Sequence, residues 1–272
     1  MKFLLCLSLS LMALFAEDKG CFVDENSQNI IFVKDGETKS LGLKEKIYKD
    51  QRCAFDESSF YVANLNNEIV KVASEKEFLF ALPNVGCKVS NILLDKEKIY
   101  VACDMANIVT IAIFDKSSKK FISKKFNNVY KISSFLPLSE GVFFTSFNGK
   151  AFLLDSKLNA KEQKSVGFAP ISACKFSDDE IFIGFRNGEI LDLKSGAKKQ
   201  VLRSKISALA CAGDEVLVAG EDGVIYKFDK SLKLKGKKEL FSGEIKEIFI
   251  DKNVLIGVDL GNEIKSLEIN SF

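Results

Sequence analysis

The chain has 272 residues, 47% of them apolar, and 39 lysines and arginines against 37 aspartates and glutamates give it a formal charge of +2. A chain of this length can bury about 75% of its unfolded surface without help from a metal or disulfide, and its near-balanced charge argues against a nucleic-acid-binding domain, which concentrates basic residues on one face. It contains no histidine, which excludes Ser-His-Asp triads and histidine-ligated zinc, copper, iron or haem.

The first segment, MKFLLCLSLSLMALFA, carries Lys2, an apolar run from Phe3 to Phe15, and the small residue Ala16 ahead of Glu17-Asp18. That is the pattern of a cleaved secretory signal peptide over residues 1–16, and it predicts export to the periplasm. The run is too short for a stable membrane span, which takes about 20 apolar residues. No Pro, Gly or Ser tract divides residues 17–272, so they are read as one domain.

A hairpin pattern then recurs along the chain: CFVDENSQNIIFV from Cys21, FYVANLNNEIVKV from Phe60, IYVACDMANIVTIAIF from Ile99, VFFTSFNGKAFLLD from Val142, IFIGFRNGEILDL from Ile181, VLVAGEDGVIYKFD from Val216 and VLIGVDLGNEIKSLEI from Val254. Each is an alternating apolar strand, a tight polar turn and a second strand. With Asn29, Asn67, Asn107, Asn148, Asn187, Asp222 and Asn262 as turn markers, successive copies lie 38, 40, 41, 39, 35 and 40 residues apart. A period near 40 residues marks propeller blades.

From the second copy onward an apolar segment precedes the hairpin, beginning at Arg52, Val89, Ile132, Ile171, Ile206 and Ile245. A Lys-rich segment follows several copies, as in KKFISKKF from Lys119, AKEQKSV from Ala160, AKKQVLR from Ala197 and KGKKELF from Lys235. Charge of this kind suits an outer edge strand, where it discourages pairing with other chains. The prediction is an all-β propeller of four-stranded antiparallel blades, seven in number, with six or eight open as alternatives. The first copy starts at its central hairpin and the last stops after its third strand. The two chain ends are therefore expected to complement each other as a clasp across the seam.

The inner-strand alignment places Cys53, Cys174 and Cys211 among packed apolar columns, where they read as small buried hydrophobes. Cys87 and Cys103 flank the first two strands of one blade and are the candidate disulfide, although simple antiparallel register sets Cys103 opposite Ser90. No C-x-x-C pair, G-x-G-x-x-G loop or G-x-x-x-x-G-K-[ST] loop occurs. The acidic groups Asp56-Glu57, Asp95-Glu97, Asp178-Asp179-Glu180 and Asp214-Glu215 precede strands, as turn residues do. No catalytic constellation, cofactor site or metal site is expected.

The pairs Phe114-Asp115, Leu154-Asp155 and Phe228-Asp229 close a hairpin with an apolar residue and an aspartate, and here the chain resembles WD40-type β-propellers over residues 21 to 269. In that family the turn residues Asn148, Asn187 and Asp222 would stand where a structural Asp is common. The chain departs from the family in having neither the Trp of the repeat nor its Gly-His pair. In size, export signal and repeat style it is similar to the NapL-type accessory propellers of periplasmic nitrate reductase gene clusters, which implies a supporting role and no catalysis.

The expected function is a periplasmic interaction scaffold with another protein or complex as its partner. Its candidate surface comprises the hairpin turns at Asn66, Asn67, Asp104, Arg186, Asn187, Glu221, Asp222 and Asp259. The alternatives are a Ca²⁺- or cofactor-binding propeller that uses carboxylates in its central channel, and a propeller subunit of outer-membrane protein assembly.

Overall fold

Seven antiparallel sheets succeed one another in the computed structural model, which describes residues 21–23, 29–34, 37–43, 47, 51–83, 86–167 and 169–272. The expected signal peptide, residues 1–16, lies outside the described residues. Blade 1 holds β1 (Cys21–Val23), β2 (Asn29–Lys34) and β3 (Glu37–Gly42). Blade 2 holds β4 (Ala54–Phe55), β5 (Phe60–Ala63), β6 (Glu68–Val72) and β7 (Lys76–Ala81). Blade 3 holds β8 (Lys88–Leu94), β9 (Lys98–Met105), β10 (Ile108–Asp115) and β11 (Lys120–Asn127). Blade 4 follows with β12 (Ile132–Leu138), β13 (Gly141–Ser146), β14 (Lys150–Asp155) and β15 (Ala160–Ser165). Blade 5 has β16 (Pro170–Ser177), β17 (Glu180–Phe185), β18 (Glu189–Asp192) and β19 (Lys198–Gln200). Blade 6 has β20 (Ile206–Ala212), β21 (Glu215–Gly220), β22 (Val224–Asp229) and β23 (Leu234–Glu239). Blade 7 has β24 (Ile245–Asp251), β25 (Val254–Asp259) and β26 (Ile264–Glu268), and a short 3-10 turn at Ile269–Ser271 ends it.

The inner strands of blades 2 to 7 pack in succession, and Phe22 and Ile31 of blade 1 pack on Phe249, Val258 and Ile264 of blade 7, which closes the ring. This is a seven-bladed β-propeller. Both faces of each blade are covered by neighbours, so the second strands are buried almost throughout, as in β13, where all six residues are inaccessible. That explains runs such as Val142-Phe143-Phe144, in which both side-chain directions must be apolar. The outer strands β15, β19 and β23 are exposed nearly end to end, as their lysines require.

Five inner strands share one irregularity, a register shift near their start at Ser90, Ser133, Ile171, Ser207 and Lys246. A bulge bends a strand and re-aims its side chains, and here it recurs at the point where each inner strand enters the channel wall. In blade 3 the shift sets Cys103 opposite Val89, not Ser90, and Cys87 and Cys103 are linked with a Cα–Cα distance of 5.7 Å.

The reading of Cys53, Cys174 and Cys211 as unbridged hydrophobes is overturned. Cys21 is bonded to Cys53 and Cys174 to Cys211, with Cα–Cα distances of 5.1 and 5.5 Å. Both bonds join neighbouring blades. Cys174 and Cys211, offset along the adjacent inner strands β16 and β20, meet across the blade interface, and Cys53 meets Cys21 where residues 51–53 run beside β1, neither of which comparison of equivalent columns reveals.

The expected clasp between chain ends is not formed by the described strands. Among the described residues no strand pairing joins blades 1 and 7, and each has three strands. Among the described residues blade 1 has no inner strand of its own, and the start of the inner strand of blade 2 lies beside β1. Val23 N–H donates to Gln51 O and Cys53 N–H to Cys21 O, both at 3.1 Å, while Arg52 N–H donates to Ser90 O and Ile92 N–H to Arg52 O, both at 2.9 Å. Residues 51–53 thus run between β1 and β8 and stitch blades 1 and 3 into one sheet. The fully buried Gln51 supports this bend, because its side-chain amide exchanges two 2.8 Å hydrogen bonds with the backbone of Ala63.

Candidate interaction face and central channel

The turns between second and third strands lie on one face of the ring. In blades 2, 4, 5, 6 and 7 the turn closes with an N–H to C=O bond across three residues: Asn67 to Asn64, Gly149 to Ser146, Gly188 to Phe185, Gly223 to Gly220 and Asn262 to Asp259. The donor residue has a positive φ in every case, from 61° at Asn67 to 84° at Gly188, a conformation that favours Gly and is tolerated by Asn. The turn is pinned again from outside, since the carbonyls of Asn67, Gly149, Gly188 and Gly223 accept N–H groups of Leu82, Val166, Leu202 and Phe241 on the segment leaving the outer strand. These tips are rigid supports for the side chains they carry.

The geometry sorts the candidate surface residues. Asn66, Arg186, Asn187, Glu221 and Asp222 are exposed at tips, and Asp259 is half-buried, accepting a 2.7 Å bond from Glu263 N–H. Asn67 is only 4% exposed, because it occupies the pinned position that is Gly149, Gly188 or Gly223 in other blades. Asp104 faces inward and accepts a 2.9 Å bond from Ile132 N–H of blade 4. Burial pushes its carboxyl above the usual range, against hydrogen bonds from Ser90 and Ile132. Both residues therefore brace the ring and fall outside the exposed surface. The sequence reading passed over three exposed apolar side chains on this face: Leu65 at 50%, Tyr130 at 53% and Leu260 at 64%. Leu65 and Leu260 were legible as leucines at turn positions that ordinarily hold polar residues.

The opposite face is built from capped acidic turns. Asp56 accepts bonds from Ser58 N–H, Ser59 N–H and the Tyr61 hydroxyl at 3.0, 2.9 and 2.7 Å. Burial pushes its carboxyl up, but these bonds outweigh it and hold the group below the usual range. Asp95 and Tyr100 repeat the arrangement at 2.7 Å, and burial together with the Asp95 bond raises the Tyr100 phenol well above its ordinary value. Asp178 joins blades 4 and 5 through Ser139 N–H at 2.7 Å and Lys175 at 2.8 Å. On the other face Asp222 accepts a 2.6 Å bond from Tyr226, whose phenol is pushed up to about 12 by burial and this bond. The aspartates that follow an apolar residue, Asp115, Asp155 and Asp229, cap the turn into the fourth strand, each accepting at least one backbone N–H at 2.7 to 2.9 Å. These carboxylates are committed to folding the turns.

Along the axis runs a cavity of about 320 Å³, walled by the inner strands of blades 2 to 7 through residues such as Cys53, Leu93, Leu136, Cys174, Ala210 and Phe249. Among the described residues, six strands of the seven-bladed ring, those of blades 2 to 7, wall the channel. Among the described residues no carboxylate lines it, so none of them offers the oxygen ligands of the Ca²⁺ site considered from the sequence. Among the described residues no three Cys, Asp or Glu side chains come together at metal-binding distance.

No family model matches the sequence, and no curated protein matches it. Solved structures do. The computationally designed Ika8 protein superposes with a TM-score of 0.65 at 13% identity, over 89% of this chain and 80% of that one. BamB from Moraxella catarrhalis superposes with a TM-score of 0.61 at 10% identity, over 93% and 83%. The likeness is one of fold. What this chain shares with those two proteins is the propeller fold. Among the described residues no helix is long and apolar enough to cross a membrane.

Proposed function

We propose that this chain is a non-catalytic periplasmic scaffold that engages a partner protein through the face carrying its central hairpin turns. The observation behind this reading is the set of exposed side chains on those rigid tips and an adjoining loop: Leu65, Tyr130 and Leu260 as apolar anchors, with Arg186 and Glu221 as charges between them. Interfaces draw their energy from a few large side chains in well-fixed positions, and loops on a rigid ring supply these with little ordering cost. Asp56, Asp95, Asp115, Asp155, Asp178 and Asp229 are bound up in turns and blade contacts. The finer assignment, an accessory role in the assembly or function of a periplasmic nitrate reductase, rests on the likeness in size, export signal and repeat style to that class of accessory propeller.

The test is capture of partners from periplasm with the wild-type chain and with Leu65→Asp, Leu260→Asp, Arg186→Glu and Glu221→Lys combined. The expected result is loss of the captured protein with the melting temperature retained. An unchanged set of captured proteins would overturn the assignment of this face. Capture of a partner unrelated to nitrate reduction would overturn the finer assignment and leave the scaffold standing.

A further inference from the structure

Eight large apolar side chains are exposed among the described residues, and five of them lie on outer strands: Leu41 on β3, Phe78 on β7, Phe121 and Ile122 on β11, and Leu234 on β23. Three of the five are on neighbouring edges of blades 2 and 3, with Phe78 at 56%, Phe121 at 38% and Ile122 at 43% exposure. The two edges form one continuous rim. The Phe121 ring stacks on Phe80 of β7 at 5.0 Å, and Lys119 pairs with Glu77 at 3.3 Å. Exposed lysines surround the apolar groups: Lys76, Lys119, Lys120, Lys124 and Lys125, against Glu75 and Glu77.

The rim beyond this patch is basic as well. Strands β11, β15, β19 and β23 carry ten lysines and two glutamates. Lys161, Lys164 and Lys235 pair with Glu140, Glu162 and Asp229, which leaves the strip strongly positive although the whole chain carries only +2. Lysines alone are enough to guard an edge strand, and they also disfavour addition of a partner's strand. Exposed aromatic side chains among them serve neither purpose. Apolar groups flanked by lysines on one convex rim match the interface of an anionic bilayer, where the rings enter the headgroup layer and the ammonium groups meet the phosphates.

We infer that the rim of blades 2 and 3 seats this propeller on an anionic lipid surface, with Phe78, Phe121 and Ile122 as the inserted groups and Lys120, Lys124 and Lys125 facing the headgroups. The inference is independent of the partner face, which lies on the flat of the ring and stays accessible.

Sedimentation with phosphatidylglycerol-containing vesicles, and with pure phosphatidylcholine vesicles as control, tests it. The wild-type chain is expected to bind the anionic vesicles only. Binding should weaken at least about tenfold as salt rises from about 0.01 to 0.15 M, where the screening length falls from about 30 to 8 Å. Lys120→Gln, Lys124→Gln and Lys125→Gln together should cost about a hundredfold, at roughly fivefold per lysine. Phe78→Ser with Ile122→Ser leaves the Phe80–Phe121 stack intact and should cost about tenfold or more at fixed salt. Failure of the wild-type chain to bind anionic vesicles at low salt would overturn the inference. So would equal binding by the Phe78/Ile122 variant. Loss of a protein partner by that variant, with vesicles ignored by both chains, would reassign the rim to a protein contact.

Discussion

Removing the Cys174–Cys211 bond tests the packing of the ring at its axis. The bond closes a loop across a sequence separation of 37 residues and ties the inner strands of blades 5 and 6, whereas Cys87–Cys103 spans only 16 residues within blade 3. Cross-linking restricts the unfolded chain in proportion to the logarithm of loop length, so the first bond contributes about 4 kcal/mol and the second about 3 kcal/mol. At about 2–4 °C per kcal/mol for a domain of this size, Cys174→Ala with Cys211→Ala should lower the melting temperature by roughly 8–16 °C. Cys87→Ala with Cys103→Ala should lower it by less, and because both variants lose the same atoms the comparison isolates loop length. Scanning calorimetry without reductant, together with thiol titration in denaturant, measures both effects. A wild-type chain of residues 17–272 should show no free thiol. An unshifted melting temperature for the first variant, or a larger loss for the second, would refute the reasoning.

Two further outcomes concern single side chains. A Cβ at Gly223, where φ is +77°, would lie 2.0 Å from Phe241 O, while at Gly213, with φ of +56°, it would meet nothing within 4 Å. In urea titrations Gly223→Ala should therefore cost about 3 kcal/mol or more, and Gly213→Ala about 1 kcal/mol for the left-handed backbone alone. The Asp115 carboxyl is held down to about 2 by the Ser118 N–H and by the hydroxyls of Ser117 and Ser118. A folded value below the unfolded one stabilises above about pH 4 and is lost as pH falls through about 2. Asp155 and Asp178 are depressed in the same direction. Unfolding midpoints should therefore decline across that window, with a shallower decline in Asp115→Asn, and an unchanged acid profile in that variant would contradict this account.

The blades were legible because each repeat carries its own local signals. Hairpin turns such as Glu221-Asp222-Gly223, apolar strands such as Val142 to Thr145 and lysine-rich edges such as Lys235 to Lys238 specify a four-stranded unit without reference to its neighbours. Contacts between units left no such mark. Cys174 and Cys211 belong to different blades, and only the packing of β16 on β20 brings them together. Gln51 looked like an ordinary polar residue ahead of a strand, yet its buried amide supports the bend by which residues 51–53 supply blade 1. The hairpin turns themselves were legible to within a residue or two. A single residue separates the exposed Asn66 from the buried Asn67, because the first decorates the tip and the second holds the left-handed backbone beneath it.

The seam changes how the ring bears load. Blades 1 and 3 are stitched together by backbone hydrogen bonds through residues 51–53, whereas blades 1 and 7 meet through Phe22, Ile31, Phe249, Val258 and Ile264 and through the Arg52–Glu247 ion pair at 3.4 Å. The molecule is in this respect a split washer and not a welded hoop. Residues 51–53 tie blades 1 to 3 into one arc, and among the described residues the two ends of the ring meet through apolar contact and the Arg52–Glu247 pair. Among the described residues that joint, like those between blades 3 to 7, crosses no strand ladder, so parting it would expose Phe22, Phe249 and Val258 to water without breaking the backbone hydrogen bonds of a sheet.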